Sequence, residues 1–321
     1  ADAGRGYEQD GHASGGYTSR PHPCQATATR EYRAMSFRFA VAPRRGLLAL
    51  DGPDAKPLLQ GLVSNDVLRV GPERAIYTAL LTAQGRYLHD FCIAELDGRL
   101  LLDCERDRQA DLTRRLTLYR LRAKVTFADA NADAAVVLAW GAGAAAGLGL
   151  AGEPGTARPW GGGVAFIDPR HAGLGVRAFL PADGVASLTS AGGVAGMLEE
   201  YEALRIGLGV PDGSRDLEVE KALLLENGFE ALHGVDFDKG CYVGQEITAR
   251  TKYRGLAKKK LVTVGFDGVA PPADTIIMQD GHEAGLMRSH AGDRGLALLR
   301  LDALEKAAPL MAGETIIRVG G

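Results

Sequence analysis

The chain has 321 residues, 46% of them hydrophobic and 24% charged, with a formal net charge of −3. That length allows two or three domains around a substantial core, and the balance is ordinary for a soluble globular protein. The near-neutral total gives no global argument for nucleic acid or a membrane as partner. Four cysteines (Cys24, Cys92, Cys104 and Cys241) point to a reducing compartment, read as the cytoplasm, and not to a disulfide framework.

Residues 1–34 mix Gly, Ser, His, Tyr and Arg without apolar period, so a flexible tail is expected. Asp2, Glu8 and Asp10 within it argue against a secretory signal or a transit peptide, and Met35 is the expected start. Two short strands are predicted over 36–51. Pro53 and Asp54 then open a helix with Leu58, Leu59, Leu62 and Val63 on one face. Strands follow at 76–82, 87–96 and 99–104, a helix at 105–121 carrying Leu112, Leu116 and Tyr119 on one side, and a strand at 124–128. The middle supplies strands at 135–140, 164–168 and 176–180, then a helix over 194–208. Beyond Gly255, short strands separated by Gly, Asp and Pro turns read as a small β-barrel. Strands in direct succession between helices make the fold class α+β. The uncharged run 134–152 is rich in Ala and Gly and lacks flanking Lys or Arg anchors, so no membrane span is expected.

The most informative run is 238–246, Asp-Lys-Gly-Cys-Tyr-Val-Gly-Gln-Glu. Cys241 sits between Gly240 and Gly244, which permit a tight loop, and the Lys239 ammonium favours the thiolate, the nucleophilic and metal-binding form of cysteine. The plainer alternative is a small apolar side chain packed in a core. With no C-x-x-C spacing, a local zinc or dithiol site is excluded. Gly147–Gly152 satisfies G-x-G-x-x-G, but Glu153-Pro154-Gly155 follows and no helix can open there on a pyrophosphate. His233, eight residues before Cys241, lacks an orienting partner for a Cys–His hydrolase. His282 and His290 read as turn or surface residues. Residues 250–260 hold six basic side chains and no acid. They are either a solvated edge strand or an anion-facing patch beside Cys241, and a single aromatic, Tyr253, gives little support for nucleic-acid stacking.

Lys239 to Glu246 resembles the K-G-C-[YFV]-x-G-Q-E mark of the YgfZ-type folate-binding iron–sulfur assembly factors, a family that includes a mitochondrial assembly factor. The resemblance extends to Leu59-Gln60-Gly61-Leu62 with Asn65-Asp66, Tyr77 through Gly85-Arg86, Tyr119-Arg120-Leu121-Arg122, Asp168-Pro169-Arg170, Leu174-Gly175-Val176-Arg177, Arg205 to Pro211, Glu226 and Thr248-Ala249-Arg250. It implies a three-domain ring like the aminomethyltransferase (T-protein) of glycine cleavage. Its parts would be a tail at 1–34, a folate-binding part at 35–130, a second α+β domain at 131–192, a return segment with the Cys motif at 193–256, and a barrel at 257–321. It implies tetrahydrofolate as cofactor, with Asn65, Tyr77, Asp90 and Glu226 as contacts. It also implies Cys241 as one ligand of an iron–sulfur cluster shared with a partner. Lys239 and Arg250 would then offset negative charge, while Gln245 or Glu246 holds the loop. The partners implied are an A-type iron–sulfur carrier and [4Fe–4S] client proteins, with the chain monomeric alone. Two features depart from the T-protein pattern: His89 replaces the acid before Asp90, and Gly207 stands where a pterin-contacting Glu is found. They set a non-enzymatic assembly factor above the alternative, a folate-dependent aminomethyltransferase or demethylase. A third reading is a folate-binding scaffold with an inert cysteine.

Overall fold

The computed structural model describes Ala1, Gly4 and residues 36–320; apart from those first two residues, the tail expected at 1–34 lies outside the described residues. β1 (Phe37–Val41) and β2 (Arg45–Asp51) lead into α1 (Ala55–Gln60). β3 (Ile76–Leu81), β4 (Tyr87–Leu96) and β5 (Arg99–Glu105) follow, then α2 (Gln109–Arg120) and β6 (Thr126–Asp129). β2 to β6 form an antiparallel sheet in the order β3-β4-β5-β2-β6. Alternation along its strands sorts the side chains into two layers. Leu48, Leu50, Leu80, Phe91, Ile93 and Leu102 lie with Leu59, Leu112 and Leu116 of α1 and α2. Leu47, Ala49, Tyr77, Ala79, Cys92 and Leu101 face the opposite way. With both faces covered, β3 is buried at every position and its apolar run is broken only by Thr78.

The second sheet is built from β7 (Ala135–Trp140), β8 (Ala157–Trp160), β9 (Gly163–Ile167) and β10 (Val176–Leu180), completed by β1 and by β11 (Gly193–Ala195). Its order is β11-β1-β7-β10-β9-β8, antiparallel except for the parallel β1–β11 pair. Phe37–Val41 and Gly193–Ala195, which fall in segments expected for the folate-binding part, therefore pair with the middle strands. Val136, Leu138, Phe166 and Phe179 join the inner layer of the first sheet in one shared core. Each such side chain contributes about 1.5–3 kcal/mol when fully buried.

After α3 (Leu198–Gly207), the chain runs as turns through 208–244 and inserts Leu217, Leu224, Phe229 and Leu232 into that core before forming α4 (Gln245–Arg254). The remaining strands, β12 (Lys259–Phe266), β13 (Ile276–Gln279), β14 (His282–Ala291), β15 (Arg294–Arg300), β16 (Leu310–Ala312) and β17 (Thr315–Val319), close a six-stranded barrel. One buried carboxylate anchors it. Asp216 accepts from the Ser289 amide of β14 (2.8 Å) and hydroxyl, and from Arg205 (2.9 Å) and the Asp212 amide (2.8 Å).

Three expectations change. The helix foreseen at 194–208 starts only at Leu198, because β11 uses Gly193–Ala195 as an edge strand. Tyr119 is exposed while Leu112 and Leu116 are buried, since the last turn of α2 runs past the sheet. Of the basic run 250–260, one reading of which was a solvated edge strand, the first half ends the helix Gln245–Arg254, which buries Thr248 and Thr251 and so shows no apolar stripe in the sequence. The segment 134–152 is strand β7 followed by a single helical turn, Ala144–Gly147, and among the described residues no helix is long and apolar enough to cross a membrane.

Candidate functional site: an exposed thiol on a pinned loop beside a polar cleft

Cys241 is exposed, whereas Cys92 and Cys104 are buried, each with its thiol pushed up to about 12 by burial. The loop carrying it is fixed from several sides. Gln60 of α1 donates to the Lys239 carbonyl (3.2 Å) and to Asp66 (2.9 Å), and the Val243 amide donates to the Gly61 carbonyl (3.2 Å). The Gln245 side chain accepts from the Tyr242 amide (3.0 Å) while its own amide donates to the Tyr242 carbonyl (3.3 Å), closing a reciprocal turn that starts α4. Gly244 has φ +81°, and a Cβ there would lie 2.4 Å from the Thr82 carbonyl oxygen. The turn after β3 is glycine for the matching reason: a Cβ on Gly85 would lie 2.8 Å from the Gly244 carbonyl.

Lys239 does not do what the sequence suggested. Its ammonium turns inward, donating to the carbonyls of Gln60 and Val63 (2.6 Å each) at the end of α1 and lying 4.9 Å over the Tyr242 ring. Carbonyls left open at a helix end attract a cation, which accounts for the direction. Burial lowers its pKa to about 8. Lys239 is thus a clamp for the loop. Glu246 and Arg250 pair with each other along α4 at 3.3 Å, both well exposed, an arrangement worth only a few tenths of a kcal/mol. Among the described residues no three His, Cys, Asp or Glu side chains converge as metal ligands.

A cleft of about 320 Å³ is lined by Asn65, Arg69, Arg74, Tyr77, His233 and Asp236 among others. Asn65 and Tyr77, two of the residues expected to contact a folate, line this cleft, but Asn65 has its amide engaged, donating to the carbonyls of Tyr77 and His233 (2.7 Å each). Arg69 pairs with Asp236 (3.5 Å) and Arg74 with Glu153 (3.0 Å), leaving the buried Arg74 Nε without a partner. Asp90 and Glu226 do not reach the cleft. Asp90 is buried behind Tyr77, accepting from the phenols of Tyr77 (2.9 Å) and Tyr87 (2.6 Å), and burial raises its pKa. A bulge where β4 passes Leu80 and Leu81 puts Tyr87 on the same face as Asp90, while His89 points to the other face and meets Asp111 of α2 at 2.9 Å. Glu226 accepts from the amides of Lys258 (2.9 Å) and Lys259 (3.2 Å) and ties the return segment to the barrel.

Sequence reasoning missed the ionic centre behind the cleft. Asp103 of β5 binds Arg45 (2.6 Å) and Arg177, joining the two sheets; Arg177 also meets Asp168 (3.3 Å), which holds Arg170 (2.8 Å). These arginines hold the Asp168 carboxyl well below the usual range despite burial. Arg170 lies 5.6 Å over the Tyr77 ring. The signal in the sequence was a charged residue inside each of two apolar strands, at Asp103 and Arg177, and another opening a third, at Arg45.

Two sheets, a return segment and a terminal barrel make an aminomethyltransferase-like fold. The glycine cleavage aminomethyltransferase T of Bartonella henselae superposes with a TM-score of 0.73 over 90% of this chain and 87% of that one, at 15% identity, a likeness of fold. Residues 258–320 match the family described as CAF17, C-terminal beta-barrel domain. The chain is 35% identical to the human mitochondrial iron–sulfur cluster assembly factor IBA57 over 84% of this chain and 79% of that one. It is likewise 35% identical to the mitochondrial IBA57 homologue of Mycosarcoma maydis, over 77% of this chain and 62% of the relative. The chain belongs to the IBA57 family of iron–sulfur cluster assembly factors. The expected cytoplasmic location is overturned by these relatives, which are mitochondrial proteins.

Proposed function

We propose that the protein is a folate-holding accessory factor of the YgfZ type for assembly or repair of [4Fe–4S] proteins, with Cys241 lending one thiolate to a cluster shared with an A-type carrier. The observation that carries this reading is an exposed thiol on a loop pinned to α1 and α4. A cluster takes about four ligands, usually thiolates, and one protruding sulfur can supply only one, so the rest must come from a partner that delivers or receives the cluster. A rigid loop lowers the ordering cost of such an encounter. Anaerobic mixing with a carrier holding a [2Fe–2S] cluster tests it: the expected result is a complex that forms with wild type and is lost in Cys241→Ser. Full activity of [4Fe–4S] enzymes in cells carrying only Cys241→Ser would overturn it.

For tetrahydrofolate, support comes from the cleft. Arginines and carboxylates of opposite sign suit a ligand with amino-pterin donors at one end and carboxylates at the other, and the orphaned Arg74 Nε is a donor in want of an acceptor. Arg69 and Arg74 would hold the carboxylates, and the Tyr77 side would take the ring. Titration with tetrahydrofolate should show weaker binding by Arg74→Gln, with no change in Cys241→Ser. The aminomethyltransferase alternative is not favoured, because Asp90 has both oxygens engaged by buried phenols.

A further inference from the structure

The outward side of α4 and the turn after it carry Arg250, Lys252, Tyr253, Arg254, Leu256 and Lys258, all exposed. Tyr253 is 73% and Leu256 51% exposed. Lys252 is paired with Glu230 and lies over the Phe237 ring, against whose edge Tyr253 also rests. Arg254, Lys258 and Lys260 have no ion-pair partner among the described residues. The helix dipole explains basic residues in the last turn. It does not explain Lys258 and Lys260 beyond the helix end, nor two bare apolar side chains among them. The end itself is a glycine turn: Leu256 donates its amide to the Thr251 carbonyl (3.2 Å) around Gly255 at φ +60°. In such a turn the residue after glycine usually folds its side chain back on the helix. Leu256 stays half in water instead.

We propose that this patch is the docking surface for an acidic protein face, and that the iron–sulfur carrier binds here as well as at the sulfur. The proposal rests on the function proposed above. Unpaired cations clustered on a chain of net charge −3 repel one another until an acidic partner meets them, and Tyr253 and Leu256 supply the apolar contact at the centre. Geometry makes one partner sufficient. Ten helical residues span about 15 Å, so Cys241 at one end of α4 and the patch at the other fit within a single interface of about 800 Å² per side. Nucleic acid is the weaker occupant, since a single exposed aromatic offers little base stacking.

The test measures the affinity of the full chain for the A-type carrier, with and without its [2Fe–2S] cluster, at low and moderate salt. It uses wild type, R254E/K258E, L256S and C241S. The charge pair should weaken binding at least tenfold at low salt and flatten the salt dependence, L256S should weaken it several-fold, and C241S should lose only the cluster-dependent part. If R254E/K258E binds like wild type while C241S loses the cluster-dependent complex, the docking surface is wrong and the cluster reading stands. If wild type does not bind the carrier at all, both fall. Tight binding of a short RNA oligonucleotide that disappears in R254E/K258E would overturn the choice of a protein partner.

Discussion

The ionic centre and the Cys241 loop are opposite solutions to holding reactive groups. At the centre, Asp103, Asp168, Arg170 and Arg177 are removed from water and, with the half-buried Arg45, consume one another's hydrogen bonds, while Asp90 is closed off by the phenols of Tyr77 and Tyr87. At the loop, backbone and neutral side chains do the holding, through Gln60, Gln245 and Gly244, and the thiol is left free. Ionisable groups buried and mutually paired fix geometry; a single group left in solvent on a rigid support is what a second protein can use. In this IBA57-family chain, the proposed chemistry belongs to the exposed loop, while the buried ion pairs join the two sheets.

Breaking the centre should have the largest effect. Asp103→Ala takes the carboxylate partner from the half-buried Arg45 and leaves the buried Arg177 with Asp168 alone, and should cost about 3–5 kcal/mol in denaturant unfolding. An unchanged midpoint would mean that the pair does not join the sheets. His89, on the reverse face of the neighbouring strand β4, gives a pH signature. Burial lowers its pKa from 6.5 to about 4 in the fold. The unfolded chain takes up this proton first, so stability is fully present above pH 6.5 and falls as pH drops toward 4, by at most about 3 kcal/mol. Stability curves at several pH values should show that loss in wild type and a flatter window in His89→Gln.

The loop should respond more mildly in stability and more sharply in function. Gly244→Ala forces a Cβ against the Thr82 carbonyl at a left-handed φ and should cost about 1–3 kcal/mol, with faster proteolysis near 240–244. Cys241→Ser should change stability by less than about 0.5 kcal/mol, as befits an exposed side chain. In mapped alkylation of native protein, Cys241 should label rapidly while Cys92 and Cys104 stay protected. Equal labelling of Cys92 would contradict the sealed centre.

The α+β class, the terminal barrel and most strands follow from local pattern, because apolar alternation and glycine turns are written within a few residues of one another. The Cys241 loop was legible for the same reason: its glycines and its sulfur lie within five positions. What only the tertiary structure decided is where long side chains end. Lys239 sits two residues from Cys241 yet reaches back to the carbonyls of Gln60 and Val63. Asp90 stands in a strand that looked ligand-facing and is closed off by Tyr77 and Tyr87. Glu226 bonds the entry to the barrel, over thirty residues on. α4 hid because it packs on threonines and Ile247, so its sequence shows no hydrophobic period. Spacing tells which residues are near along the chain; the direction of a polar side chain depends on partners brought in from other elements, and sequence order does not contain that geometry.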